Sequence, residues 1–579
     1  MINNKDDDGD AREEREREQG TAATTAEKSE KQLQRTLEKE RKRMEKQEKE
    51  ERKRLQGNGS NSNHGQSIIT IQAMQQTPVE LESVSGTRDW FPEEYRLQRW
   101  LFEKFRKTGN SFGFEEYDAP VLERQELYKR KAGEEITQQM YSFVDKDQCE
   151  VTLRPEMTPT LARMVLSRGA SMILPLKWFS IPQCWRFEAT QRGRKREHYQ
   201  WNMDIIGCDK ITAEVELLAA VVDFFKSLGI TSADVGVKVN SRKVMQSMLQ
   251  INKVPDEIFA PTCVILDKLD KIGDDAVIKE LTETLKLPKE TAMNVVKTLH
   301  CKTVEELEQM AKEAITSSSS SEANDDDTTT TTTNNKMDDS SIQELKQLFK
   351  LADEYGFGDW LQFDASVVRG LAYYTGVVFE AFDKAGELRA IAGGGRYDKL
   401  LSLYGAMSPV PACGFGFGDC VIVELLKEKN LLPKKEVEKQ IDFCVAAYNI
   451  DMQGKAMKTA NLLRLGNNNN SDNDNDNNNN NNNNSGHHLI TCDVMLEPKK
   501  KVAQTFDYAN RIGARYIVFV APSEWENGCV RIKDLRADAY AAEESDKQVD
   551  VKLEDLCNAL EIMRLNEVQV KIRRGMASL

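Results

Sequence analysis

The chain has 579 residues, 39% hydrophobic and 30% charged, with a formal net charge of −14; at about 100–200 residues per unit this allows roughly two to four folded units. No apolar run reaches the roughly 18 residues a membrane-spanning helix needs. The acidic balance excludes a uniformly basic nucleic-acid surface, because phosphate contacts require Lys and Arg, so any such partner must be met at a local basic patch.

Residues 1–66 are almost wholly charged or small and polar. Leu33, Leu37, Met44 and Leu55 are too sparse a stripe to bury a core, so the segment reads as a solvated, partly helical or disordered extension. KERKRMEKQEKEERKR within it is basic in patches and leaves an RNA-gripping helix open. The opening MINNKDDDGD is too acidic for an Arg-rich transit peptide and too polar for a secretory signal. Eleven cysteines spread from Cys149 to Cys557 without a CxxC pair, the pattern of reduced thiols. A cytoplasmic protein is expected.

From 67 to 229 helices and strands alternate. Leu97, Trp100, Leu101 and Phe105 recur at helical spacing behind Pro92, with Glu93 and Glu94 in the first turn. In LRPEMTPT, Thr158 and Pro159 read as the cap and first position of a helix that buries Leu161, Met164 and Val165. Glu156 is held just ahead of it, where a carboxylate and a hydroxyl can bind an ammonium or simply complement the helix dipole. The segment WRFEATQRGRKREHYQWNMD then reads as a hairpin. On a strand Arg186 and Glu188 point the same way, as do Gln200 and Asp204, so an arginine, a glutamate, an amide and a carboxylate share one face. Gln191 to Arg196 form a compact basic loop, the place to look for polyphosphate or RNA. Such a hairpin could instead carry a merely charged solvent face.

Residues 230–351 turn Lys/Glu/Leu-rich and predict a helical insertion interrupted by a disordered tract at 317–335. Glycine-punctuated strands return over 352–432. VVRGLAYYTGVVFEAF places Arg369, Tyr373 and Tyr374 in a glycine-bounded strand. Gly393, Gly394 and Gly395 in IAGGGRYD allow close backbone approach to a ligand or form a turn. GFGFGDC alternates Gly414, Gly416 and Gly418 with phenylalanine, as where a strand passes under a ligand. The last block, 441–579, has strand candidates FCVAAY and RYIVFVA around a helix-like KKKVAQTFDYANRIG, the rhythm of an α/β unit. An Asn-rich insert at 467–484 interrupts it, and His487 and His488 beside that insert read as loop residues rather than ligands.

Together these segments resemble class II aminoacyl-tRNA synthetases, and RGLAYYTG with GGGRYD resembles the histidyl-tRNA synthetase family, in its eukaryotic cytoplasmic type. The resemblance runs from about Gly86 to the C-terminus. It implies an α+β fold: an antiparallel sheet flanked by helices, a helical insertion and a C-terminal α/β anticodon-binding domain. It also implies activation of L-histidine with ATP, as its Mg²⁺ complex, to histidyl-adenylate and pyrophosphate, then transfer to tRNA(His). GTRDWFPEEYRLQRWLFEKF is similar to the first motif, which builds a homodimer interface. No protein-built metal site is expected.

By the same resemblance Arg186 and Arg369 are catalytic, meeting the α-phosphate, and Glu188, Arg194, Arg196, His198, Gly416 and Gly418 join Arg186 in binding ATP. Glu156, Thr158, Gln200, Asp204, Tyr373 and Tyr374 bind histidine, with Asp204 and Tyr374 reading the imidazole. The chain departs from the pattern at the third motif, where Cys420 stands in place of an arginine. Arg194 or Arg196 is expected to compensate, with His198 stacking on the base. In the last block Lys499, Lys500, Lys501, Arg511 and Arg515 offer either tRNA phosphate contacts or a solvated helix face. The competing reading is a catalytically inactive, synthetase-like regulatory or RNA-binding paralogue; the retained site residues weigh against it.

Overall fold

A computed structural model of the chain describes residues 80–130, 134–321, 339–367, 373–465 and 490–576. The N-terminal extension and the Asn-rich insert lie outside these, as do Arg369, His487 and His488. The first strands along the chain are β1 (Glu115–Glu116), β2 (Leu122–Arg124), β3 (Tyr141–Val144), β4 (Glu150–Leu153), β5 (Leu176–Ser180), β6 (Gln183–Trp185) and β7 (Glu197–Ile206). They are followed by β8 (Val235–Ser241), β9 (Leu361–Phe363), β10 (Val377–Asp383), β11 (Ala392–Arg396) and β12 (Ala412–Gly418). The main sheet has the order β1-β5-β7-β12-β11-β10-β8-β9, with β6 paired to β7, and is antiparallel except at its two edges. Strands β2, β4 and β3 form a small separate sheet.

Alternation along the central strands divides this sheet into a dry face and a wet one. On β7, Trp201, Met203 and Ile205 point to the core while Gln200, Asn202 and Asp204 point the other way; on β12, Phe415 and Phe417 point to the core and the glycines oppose them. The core face is covered by the helices Pro92–Ser111 and Thr212–Ser227. The first begins with Pro92 and two acidic residues, as expected, and presents Leu101 and Phe105, whose ring stacks on Trp201 at 4.9 Å. The second is buried almost all round, and Phe224 and Phe225 complete the aromatic cluster with Phe417 at 5.0 and 5.4 Å.

The helical insertion is shorter than 230–351. Val235, Val237 and Val239 of VGVKVNS are fully buried at period two, which makes β8 a strand of the main sheet; the intervening Gly236 and Lys238 hide that alternation in the sequence. Helices from Arg242 to Leu299 then pack around their own core of Met245, Leu249, Leu266, Leu281 and Val295. The helix Val304–Ser321 enters the low-complexity tract through Ser321, and both it and Asp339–Tyr355 return to the main core through Leu307, Leu345 and Leu348.

The C-terminal unit holds β13 (Ile441–Ala447), β14 (Cys492–Val494), β15 (Ala514–Val520), β16 (Cys529–Asp534) and β17 (Gln548–Lys552) in the order β14-β13-β15-β16-β17. The first three are mutually parallel, and β15 is buried on both faces, Tyr516 and Val518 against one cluster and Ile517 against another. That burial explains the near-continuous apolar run read from the sequence.

One buried ion pair ties β11 to the helix Thr212–Ser227. Arg396 reaches Glu214 through two bonds of 2.6 and 2.7 Å, both side chains being at most 3% exposed. Removing one partner of such a pair leaves a buried, uncompensated charge. Glu214→Ala should therefore lower stability by about 3–5 kcal/mol, read as a shift of the urea midpoint; a change near zero would show the pair to be dispensable.

Candidate active site

The wet face of the sheet floors a cavity of about 450 Å³, within the usual range for small-molecule sites of roughly 300–1,000 Å³. Gln200 and Asn202 of β7 line it together with Gly416 and Gly418 of β12, Gly393 of β11 adding the neighbouring strand. The glycines are there because of what lies across from them. A Cβ on Gly416 would overlap Gln200 Nε2, and one on Gly414 would overlap Asp204 Oδ1, so the polar side chains of β7 lie flat over β12 only if that strand is bare.

Asp204 lies on the same face, over Gly414, 2% exposed and outside the cavity lining. Tyr397 donates its hydroxyl to Asp204 Oδ1. Burial first, and the Asp204 charge second, raise the Tyr397 and Tyr117 phenols well above their ordinary range, so both remain protonated beside that carboxylate, with Tyr397 donating to it. Tyr373 and Tyr374 form the adjoining wall with ring centres 4.6 Å apart.

Glu156 and Thr158 face the cavity from the start of the helix Thr158–Arg168. Thr158 is the first helical residue and makes no side-chain cap; Met157 takes the cap position. Arg186 donates its Nε to the Pro155 carbonyl at 2.9 Å, which couples it to the Glu156 segment. The strand β6 stops at Trp185, so Arg186 and Glu188 reach the same cavity from the bend that follows rather than from strand alternation.

The basic loop divides. Arg194 faces the cavity and is ion-paired with Glu188, and Lys195 also lines it. Arg196 turns away: it lies 4.2 Å over the Phe187 ring, donates to the Glu188 and Ser85 carbonyls, and does not line the cavity. Arg192 is bound outside by Glu424 and Glu428. His198 lines the wall, and burial, with Arg186, Arg88 and Arg194 adding repulsion, lowers its imidazole to about 3. It is therefore a neutral aromatic ring at pH 7, able to stack on a base.

Cys420 partly lines the cavity and donates its thiol to Asp419 Oδ1 at 3.3 Å, while burial pushes that thiol up, so the position carries no charge. Beside it Asp419 accepts from the Tyr199 amide and from Arg88, both at 3.0 Å, and Arg88 also grips Glu197. Arg88 thus staples β7 to the helix beginning at Asp419. The sequence signal for this staple was only the GTRD and FGD segments, more than 300 residues apart on the chain. Arg389, Asp267 and Asn202 also line the cavity without having stood out in the sequence.

The chain matches a family model described as Histidyl-tRNA synthetase over residues 86–418. It is 46% identical over 478 residues to a histidine–tRNA ligase of Arabidopsis thaliana named chloroplastic/mitochondrial, covering 83% of this chain and 86% of that one. A histidine–tRNA ligase of Opitutus terrae is 36% identical over 387 residues, 66% of this chain and 83% of that one. The crystal structure of histidyl-tRNA synthetase from Nostoc sp. PCC 7120 superposes with a TM-score of 0.61 at 20% identity, covering 84% of this chain and all of that one. That likeness supports the α+β fold of sheet and flanking helices. The organellar name of the Arabidopsis relative means that similarity does not select a cytoplasmic type.

Two outcomes follow from the geometry. Gly414→Ala should displace Asp204 and lower kcat/KM for the amino-acid substrate at least about tenfold while leaving the nucleotide KM within about twofold; equal losses for both would mean the floor has simply collapsed. The folded His198 value lies below the roughly 6.5 of an unfolded chain, so the unfolded state takes up the proton first and stability falls as pH drops from about 6.5 toward 3. His198→Phe should lose less stability between pH 7 and pH 5 than the parent in urea titrations, and an equal loss would place the acid sensitivity elsewhere.

Proposed function

Because this chain belongs to the histidyl-tRNA synthetase family, we propose that the cavity activates L-histidine with ATP and passes it to tRNA(His), and we assign its residues to that reaction. The observation that supports the assignment best is the gathering of Glu156, Arg186, Gln200 and Tyr374 around one cavity over a glycine floor. The relatives named as ligases favour this reading over an inactive paralogue.

Glu156 and Thr158, with Gln200, hold the α-ammonium, while Tyr373 packs beside Tyr374. Asp204, oriented by Tyr397, reads the imidazole with Tyr374. A carboxylate oxygen of histidine attacks the α-phosphorus of ATP; the bond to the β-phosphate breaks and its electrons leave with pyrophosphate. Arg186, and Arg369 by the family pattern, neutralise the charge that builds on the α-phosphate, the largest stabilisation open to such a transfer. Glu188, Arg194 and His198 hold the nucleotide over Gly416 and Gly418. Arg196, stacked on Phe187, is assigned to the acceptor end of tRNA or to ATP only after leaving that ring. A terminal ribose hydroxyl of tRNA then attacks the activated carbonyl, loses its proton, and releases AMP.

Mg²⁺ would arrive on the phosphates of ATP. Among the described residues no group of three or more His, Cys, Asp or Glu gathers as an ion site. A homodimer is proposed through the helix Pro92–Ser111, whose leading Phe91 is 64% and Tyr95 48% exposed. All eleven cysteines are free, which fits a reducing compartment; we propose the cytosol, and fractionation decides between it and an organelle. No described helix is long and apolar enough to cross a membrane.

Pyrophosphate exchange across the twenty amino acids tests the assignment. Exchange is expected with histidine alone, discrimination reaching about 10⁴ or more because both ring nitrogens are hydrogen-bonded. Exchange with another amino acid, or with none, overturns it.

A further inference from the structure

The cavity is short of free positive charge for the substrate assigned to it. ATP brings about four negative charges, and in the reading proposed above its triphosphate meets the cavity at the basic loop. Arg194 is already committed to Glu188. Arg192 is held outside by Glu424 and Glu428, and Arg196 is stacked on Phe187. The start of the helix Asp419–Glu428 offers Asp419, Cys420 and Val421 to the cavity, none of them cationic.

The segment joining β10 to β11 supplies what this end lacks. Arg389 to Gly393 run along the cavity wall, and the Ile391 carbonyl accepts the Gly418 amide at 3.3 Å, while the Ile391 amide donates to the Ala381 carbonyl at 2.8 Å. The backbone is thus pinned two residues from Arg389, directly beside the start of the helix that carries Cys420. Arg389 itself is exposed, and among the described residues it makes no hydrogen bond or ion pair. Asp267, from the helical insertion, lines the same cavity without pairing to it. An arginine on a braced backbone, open to the cavity and uncommitted, is suited to bidentate contact with phosphate oxygens.

We propose that Arg389 is an ATP-binding residue that takes the outer phosphates of the nucleotide, providing from the β10–β11 connection the charge that position 420 does not. This rests on the ATP-dependent reading of the cavity. Asp267 then faces a neutralised phosphate rather than a bare one, and Lys195 remains available on the opposite loop.

The test compares direct binding of ATP and of AMP, each with Mg²⁺, to the full-length protein and to Arg389→Ala and Arg389→Lys. Arg389→Ala should weaken ATP binding by about tenfold or more and leave AMP binding within about twofold, with Arg389→Lys recovering part of the loss. Histidine KM in pyrophosphate exchange should stay unchanged, and thermal unfolding should coincide with the parent because the side chain is exposed. An unchanged ATP affinity overturns the proposal, and so does an equal loss for AMP, which would place the side chain on the base or ribose. If the parent protein binds ATP yet shows no histidine-dependent exchange, the ligase reading fails while the ATP-to-AMP comparison still decides the role of Arg389.

Discussion

The pairing of β7 with β12 is the constraint on which the rest of the molecule depends. Its register sets Gly414 opposite Asp204 and Gly416 opposite Asn202, so the three polar side chains of β7 spread over a strand that has no side chains on that face. On the reverse face the same two strands contribute Trp201, Phe415 and Phe417 to an aromatic core. A slip of one residue would exchange the faces, burying an amide and a carboxylate among phenylalanines. Stability and site geometry are thus enforced by one alternation, and the aromatic cluster is what makes the alternation costly to lose.

Around that pairing the charges are arranged in separate depths. Asp204 is buried with a phenol donor, Arg88 and Arg396 are locked in structural ion pairs with acids from distant segments, and Arg186 is fixed to a backbone carbonyl at the cavity edge. Among the described residues that line the cavity, Lys195 and Arg389 at the rim are the exposed cations. An amino acid would be held deep, by rigid groups, and a polyphosphate near the mouth, by groups free to follow it. The fixed inner groups need no reorganisation when charge develops, which is how preorganised sites lower barriers.

Much of this was legible in the amino-acid order because it is written in local periodicity. GFGFG announces a strand with one bare face and QWNMD a strand with one polar face, although their pairing with each other has no local signal. The helix behind Pro92 and the α/β rhythm of the last block were equally clear. The start of the insertion was not, because Gly236 and Lys238 mask the buried valines of β8 and a helical composition follows at once. Nor could the sequence tell which arginine of RGRKR enters the cavity: Arg194 and Arg196 share a strand-like spacing, and the choice is made by the exposed Phe187 ring and the Ser85 carbonyl, contacts from outside the loop. Arg186 and Glu188 do share the cavity as alternation predicted, yet a bend after Trp185 puts them there. Arg389 and Asp267 carry no local signal at all, since only tertiary packing brings the β10–β11 connection and the insertion to the same mouth.

Where two ligands settle in the cavity is the most direct test of this arrangement. A structure of the protein with L-histidine and a non-hydrolysable ATP analogue should place the imidazole over β7 within about 3 Å of Asp204 or Tyr374, and the α-phosphate against Arg186. An imidazole lodged elsewhere, or Gln200 and Asp204 turned away so that the glycine floor is covered by the protein's own side chains, would contradict it.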